Sequence, residues 1–264
     1  MTKEDIVASD SWQTLRRLTP ARIALGRAGS SLPTAPMLDF QLAHARARDA
    51  VHLTLNATLI EGQLAALGLD TLHANSAAAN RETYLKRPDL GRRLDGPSRE
   101  SLKNYAARTA EVWDAVFVIA DGLSALAVHT HAVGVLALAL AALVQKGWSL
   151  GPVVVAQQSR VALGDEIGEL LRSRQVAIFI GERPGLSAAD SLGAYLTYAP
   201  AVGRNDAERN CISNIRAESG LSWADAAHKL VYLMLESQRR GLTGVMLKDT
   251  SDDVPSLIPG PAPS

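Results

Sequence analysis

Residues 206–216, DAERNCISNIR, contain Cys211, the single cysteine of the 264-residue chain, within a run dense in amides and charges. A thiol becomes a nucleophile when a helix N-terminus or a neighbouring cation lowers its pKa, and Arg209 is such a cation. The device also needs a base, and no histidine stands nearby in the sequence. The competing reading is a small side chain packed against a bulky ligand, with Asn210, Ser213, Asn214 and Arg216 offering donors and acceptors to amide groups. Other titratable clusters are weaker. His129 and His131 stand two apart, which on a helix turns them away from one another and from a shared metal ion. Asp165, Glu166 and Glu169 resemble paired acids, but acidic residues in a first helical turn are ordinary complements of the helix dipole, and that structural reading is preferred. His44, Arg48 and His52 share a helix face and form either a stripe for a partner or a solvated surface. Arg22 and Arg27 beside Gly26 and Gly29 put cations next to permissive backbone, an arrangement that grips an anion or simply solvates a loop.

Several familiar devices are missing. No G-x-G-x-x-G and no G-x-x-x-x-G-K-[ST] occurs, so the usual dinucleotide and triphosphate cradles are not expected. Ser124 in ADGLSA follows a strand but lacks the flanking glycines of a hydrolase nucleophile elbow. Without a CxxC pair, a structural zinc site is not expected either, and the chain itself is assigned no catalytic residue and no metal ligand.

The elements that must position these residues fall into two parts. From Ser9 to about Lys86 the pattern reads as helical, with no convincing strand: SDSWQTL offers Ser9, Asp10 or Ser11 as a cap, and residues 39–55 form a helix starting at Asp39. A charged joint, YLKRPDLGRRLDGPSRE, separates a helical N-terminal domain (1–95) from an α/β domain (96–250), and residues 251–264 form a proline-rich tail read as disordered or as an extended arm. In the second part, apolar runs at 114–122, 152 onward, 175–185 and 241–249 read as strands alternating with helices. That order predicts a Rossmann-like, three-layer domain with a mostly parallel sheet. Ligands of such sheets bind beyond the carboxyl ends of the strands, which here are marked by Asp121-Gly122, Gly181-Glu182 and Lys248-Asp249.

Composition narrows the partners. Lys plus Arg and Asp plus Glu both number 27, and this balance gives no electrostatic case for nucleic acid or an anionic membrane. The apolar run Ala132–Val144 is shorter than the roughly 20 residues a membrane span needs and reads as a buried helix. The start, MTKEDIVASDSW, lacks a signal-peptide core, and the lone cysteine fits a reducing cytoplasm.

Taken together, TPARIALGRAG, LDFQLAHARARDAVH, RPDLGRRL, ADGLSALAVH, VALGDEIGELL, the IGERPGLS and ADSLG blocks, and DAERNCISNIR resemble the small subunit of ethanolamine ammonia-lyase, in the family's order, from about residue 12 to 249. The resemblance implies an adenosylcobalamin-dependent lyase that converts ethanolamine to acetaldehyde and ammonia by a radical route. It also implies a TIM-barrel large subunit as obligatory partner, which holds the substrate, with the cobalamin bound between the two chains. The family's small-subunit cobalamin contacts map onto Val161, Glu182 and Cys211. D-x-H-x-x-G, whose histidine replaces the lower base in many cobalamin enzymes, does not occur here. Provided the large subunit offers no such histidine, the cofactor's own dimethylbenzimidazole is therefore expected to stay on cobalt. Some members carry a longer leader than this chain, which bears on housing in a bacterial microcompartment. The alternatives from other classes are a stand-alone α/β enzyme with Cys211 as nucleophile and a scaffold that never touches the cofactor.

Overall fold

A computed structural model describes residues 8, 10–19 and 21–258. Ser9, one of the three candidate caps, lies outside them; Asp10 accepts the Trp12 amide at 2.9 Å before a short 3-10 turn at Gln13–Arg17. The elements then run α1 (Thr34–His52), α2 (Ala57–Ala66), β1 (Thr71–Asn75), α3 (Arg81–Lys86), α4 (Gly96–Thr109), β2 (Trp113–Ala120), α5 (Ala125–Gln145) and β3 (Leu150–Gln157). They continue with α6 (Leu163–Leu170), β4 (Ser173–Gly181), β5 (Leu192–Tyr198), β6 (Asn210–Ile215) and α7 (Trp223–Arg240).

The six strands form one mixed sheet in the order β1-β3-β2-β4-β5-β6. The first four in that order are parallel, and β5 and β6 add two antiparallel strands at the far edge. Side chains alternate between the two faces, as the strand period requires. Ala115, Phe117 and Ile119 of β2 join Ala177 and Phe179 of β4 under α2, α5 and α7. Val116, Val118 and Ala120 join Val176, Ile178 and Ile180 under α4 and α6. Both faces are apolar because both are covered, which is why β2 and β4 read as continuous hydrophobic runs. Phe117 and Phe179 stack with centroids 6.3 Å apart in the first core, and truncating either is expected to cost about 3–5 kcal/mol.

Two strand expectations are corrected. Residues 71–75 form β1, which hydrogen-bonds β3 from Thr71↔Val153 to Asn75↔Gln157, so the segment read as helical supplies an edge strand. Its alternation is short and its outer residues are polar, which hid it. The strand expected over 241–249 does not form. Gly241 at φ +71 ends α7, Gly244 at φ +86 opens a 3-10 turn, and the Asn210 side chain takes the Gly244 amide (2.8 Å) and donates to the Leu247 carbonyl (2.8 Å). The sheet instead ends in β5 and β6.

The apolar run belongs to a longer helix, since α5 extends to Ala125 through a π turn at Val128–Ala132. By length and composition α5 could cross a membrane, yet it packs on the sheet and on α7 in the first core. Gly134 admits the Trp223 ring against its backbone, and Trp223 Nε1 donates to His131 Nδ1 at 3.0 Å. The described part of the tail, to residue 258, is docked as an arm. Lys229 donates to Asp252 (2.7 Å), the Leu257 amide to His228 Nδ1 (3.0 Å), and Leu257 and Ile258 pack on the core.

Candidate functional site

The parallel strands β2, β3 and β4 end at one edge of the sheet, and the chain leaving each is pinned by side chains. Asp121, just past β2 and 2% exposed, accepts the Ser159 and Gln158 amides at 2.9 Å each and Arg81 Nη1 at 3.2 Å. Burial pushes the Asp121 carboxyl above its ordinary range, while the Ser159 amide, Arg81 and the Gln158 amide pull it back. Those bonds fix the turn after β3, in which Gln158 takes the left-handed conformation at φ +54. Gly122 also has positive φ (+54), and a Cβ there would run into the Gly181 carbonyl, so only glycine lets the β2 and β4 loops touch.

Glu182 follows β4 directly. Its Oε2 accepts Ser191 Oγ at 2.5 Å and the Asn214 amide at 3.2 Å, and its Oε1 accepts Ser213 Oγ at 2.5 Å. The carboxylate therefore ties the end of β4 to the start of β5 and the end of β6. Its chain lies over Gly193, where a Cβ would come 3.1 Å from Oε1. The residue is held as a fixed acceptor at the sheet edge.

Val161 and Glu182 line a common pocket of about 400 Å³. Leu123, Ile180 and Val161 supply apolar wall, Tyr84 and Tyr195 rings, and Arg160 and Arg183 cations. Cys211 does not line it. It lies directly across from Tyr195 in the β5–β6 ladder, on the face that also carries Ser213. Val161 and Glu182 thus meet in the pocket at the sheet edge, while Cys211, near the start of β6, lies outside it, level through Tyr195 with Ile178 inside β4.

The thiol itself is not activated. Cys211 keeps accessible surface, but crowding of its sulfur raises its pKa, partly offset by a hydrogen bond with Tyr195 and reinforced by the Glu182 charge. Cys211 sits in a strand and not at a helix N-terminus, and Arg209 is committed elsewhere, to Asp165, Asp206 (2.8 Å) and the Arg204 carbonyl (2.9 Å). The premise for a lowered thiol pKa is removed. The acid cluster is likewise structural: Asp165 pairs with Arg209, and Glu166 accepts Arg99 Nε (2.7 Å) and the Leu94 amide (2.8 Å). His129 Nε2 accepts the Asn56 amide at 2.8 Å and His131 takes the Trp223 bond, which commits one nitrogen of each ring. On α1, His44, Arg48 and His52 are exposed, and Arg22 lies 5.8 Å over the Phe40 ring.

Sequence reasoning missed Tyr84, Arg81, Arg160, Ser191 and Tyr195 as parts of this end of the sheet. For Tyr195 a signal existed, since LGAYLT alternates and puts Gly193, Tyr195 and Thr197 on one face. Arg81 and Tyr84 carried none, because Tyr84 reaches the pocket, and Arg81 the Asp121 carboxylate, only through tertiary packing.

Residues 9–248 match the family model described as ethanolamine ammonia-lyase light chain. A protein of Pseudomonas syringae pv. tomato named ethanolamine ammonia-lyase small subunit is 57% identical over 247 residues, 94% of this chain and 86% of that one. Proteins of the same name from Ralstonia nicotianae and Xanthomonas campestris pv. campestris are 56% and 57% identical, covering 96% and 92% of this chain and 93% and 89% of theirs. These matches agree with the motif resemblance read from the sequence.

Proposed function

This chain belongs to the ethanolamine ammonia-lyase small-subunit family, and from that premise we propose that it forms one wall of an adenosylcobalamin site shared with a TIM-barrel large subunit. The complex deaminates ethanolamine to acetaldehyde and ammonia. The carrying observation is Glu182, fixed by Ser191, Ser213 and the Asn214 amide at the rim of the pocket that also holds Val161.

The residues present fit a corrin. Its periphery bears neutral amides around an apolar rim, and the pocket pairs a fixed carboxylate acceptor and two guanidinium donors with Val161, Leu123 and Ile180. A 400 Å³ recess takes an edge of so large a ligand, and the exposed face of β5–β6 beside it bears Cys211 and Ser213. When bound, adenosylcobalamin supplies the radical chemistry; this chain supplies placement and shielding. Glu182 accepts peripheral amide N–H groups, Val161 packs on the apolar rim, and Cys211 serves as a small wall. Gly193 and Gly122 keep the backbone close enough for that wall to be continuous. A raised thiol pKa and a committed Arg209 speak against Cys211 as a nucleophile.

We also place the protein in the cytoplasm, where its single free thiol stays reduced, either free or within a microcompartment. The test of the functional reading is reconstitution. Mixed with the large subunit, the chain should co-elute with corrin absorbance and yield acetaldehyde from ethanolamine, and neither subunit alone should do so. Turnover by this chain alone would sink the reading.

A further inference from the structure

One side chain in the pocket carries a charge that no described residue answers. Arg160 donates its amide to the Gly91 carbonyl at 2.8 Å, and its stem runs along Gly91, where a Cβ would fall 3.0 Å from Arg160 Cγ and 2.9 Å from Tyr84 Cε2. Its guanidinium sits 4.5 Å over the Tyr84 ring. That ring is itself fixed, wholly buried and with its hydroxyl donating to the Ser159 carbonyl at 2.9 Å. Arg81 lies 4.9 Å from the same ring, but Asp121 answers its charge at 3.2 Å. Among the described residues no carboxylate comes within ion-pair distance of Arg160 or Arg183, and Arg160 Nε is buried without a partner. Glu182, the one acid in the pocket, is engaged by two hydroxyls and an amide. The recess therefore holds two guanidinium groups against one carboxylate.

We propose that Arg160 is an anion anchor and that, in this pocket, the anion is the phosphodiester of the cobalamin nucleotide loop. This rests on the cobalamin reading above. The corrin amides are neutral, so the phosphodiester is the part of that ligand whose charge a preordered guanidinium meets. A guanidinium stacked in advance loses little freedom on binding, and a charge-assisted bond to phosphate is among the stronger polar contacts.

The test compares cobalamin with cobinamide, which keeps the corrin and its amides but lacks the phosphodiester and base. Affinities are measured by equilibrium dialysis on the complex reconstituted with the large subunit. Arg160→Gln should weaken cobalamin binding roughly 10- to 100-fold and leave cobinamide within about threefold, with Arg160→Lys in between. Co-elution with the large subunit and the thermal midpoint check that the variants fold. Should Arg160→Gln fold poorly, the wild-type complex provides the same decision: cobalamin affinity should fall with ionic strength more steeply than cobinamide affinity. Equal losses for both ligands, no loss for either, or equal salt slopes would overturn the Arg160 assignment alone. Failure of the wild-type complex to bind either corrinoid would overturn the cobalamin reading and this inference with it.

Discussion

The buried pair of Asp165 and Arg209 gives a direct quantitative forecast, because it fixes the strand that carries Cys211. The side chains are 3% and 2% exposed, and Arg209 immediately precedes β6. Arg209 also bonds the Arg204 carbonyl at 2.9 Å and Asp206 at 2.8 Å, but Asp206 is 94% exposed and well screened by water. Asp165→Ala therefore leaves a guanidinium buried with only a screened counter-charge. Breaking a buried pair on one side costs about 3–5 kcal/mol, and the surviving Asp206 contact places this case near the lower end, about 3 kcal/mol. For a domain of this size that corresponds to roughly 6–12 °C in the unfolding midpoint, read by scanning calorimetry or fluorimetry. The double variant Asp165→Leu with Arg209→Met should recover part of the loss, since no charge stays buried, but not all, since the Arg204 carbonyl loses its donor. A shift under about 3 °C for Asp165→Ala, or a double variant no better than the single one, would refute the reasoning.

Three further outcomes follow from the packing. Gly134→Ala should push the Trp223 indole off α5 and break its bond to His131, destabilising by about 1–3 kcal/mol and red-shifting tryptophan emission. Lys229 has its pKa raised above the ordinary 10.5, chiefly by its hydrogen bond to Asp252. Its tether on residues 249–258 is thus fully present below that value and is lost as pH rises through the raised one. Limited proteolysis of the arm should therefore accelerate above about pH 10.5, and already at neutral pH in Lys229→Met. Cys211, with its thiol pKa raised by crowding, should react with iodoacetamide at pH 8 more slowly than a free thiol, and bound cobalamin should slow it further.

The parallel core was legible because its strands are buried on both faces. VFVIA, VVVA and VAIFI are unbroken apolar runs between helical patterns, and that arrangement allows few topologies. The loops after β2 and β4 were legible for the same reason, which put Asp121 and Glu182 at a ligand edge before any contact was known. The edge strands were not. β1 and β6 each have one poorly covered face and a polar composition, so TLHAN and NCISNI carry no run that separates them from loops. The glycines at 241 and 244 turn GLTGVMLKD into a cap and a turn where its apolar residues suggested a strand. The surroundings of Cys211 were illegible for a related reason. A cation two residues away in sequence looked available to the thiol, whereas packing had committed it to Asp165 on α6.

The central claim is that Glu182 holds the corrin edge, and the affinity of the reconstituted complex for adenosylcobalamin, wild type against Glu182→Ala, tests it most directly. A loss of roughly 10- to 100-fold is expected, as for a charge-assisted hydrogen bond removed from a rigid site, with the variant still co-eluting with the large subunit. An unchanged affinity in a folded, assembled Glu182→Ala complex would contradict it.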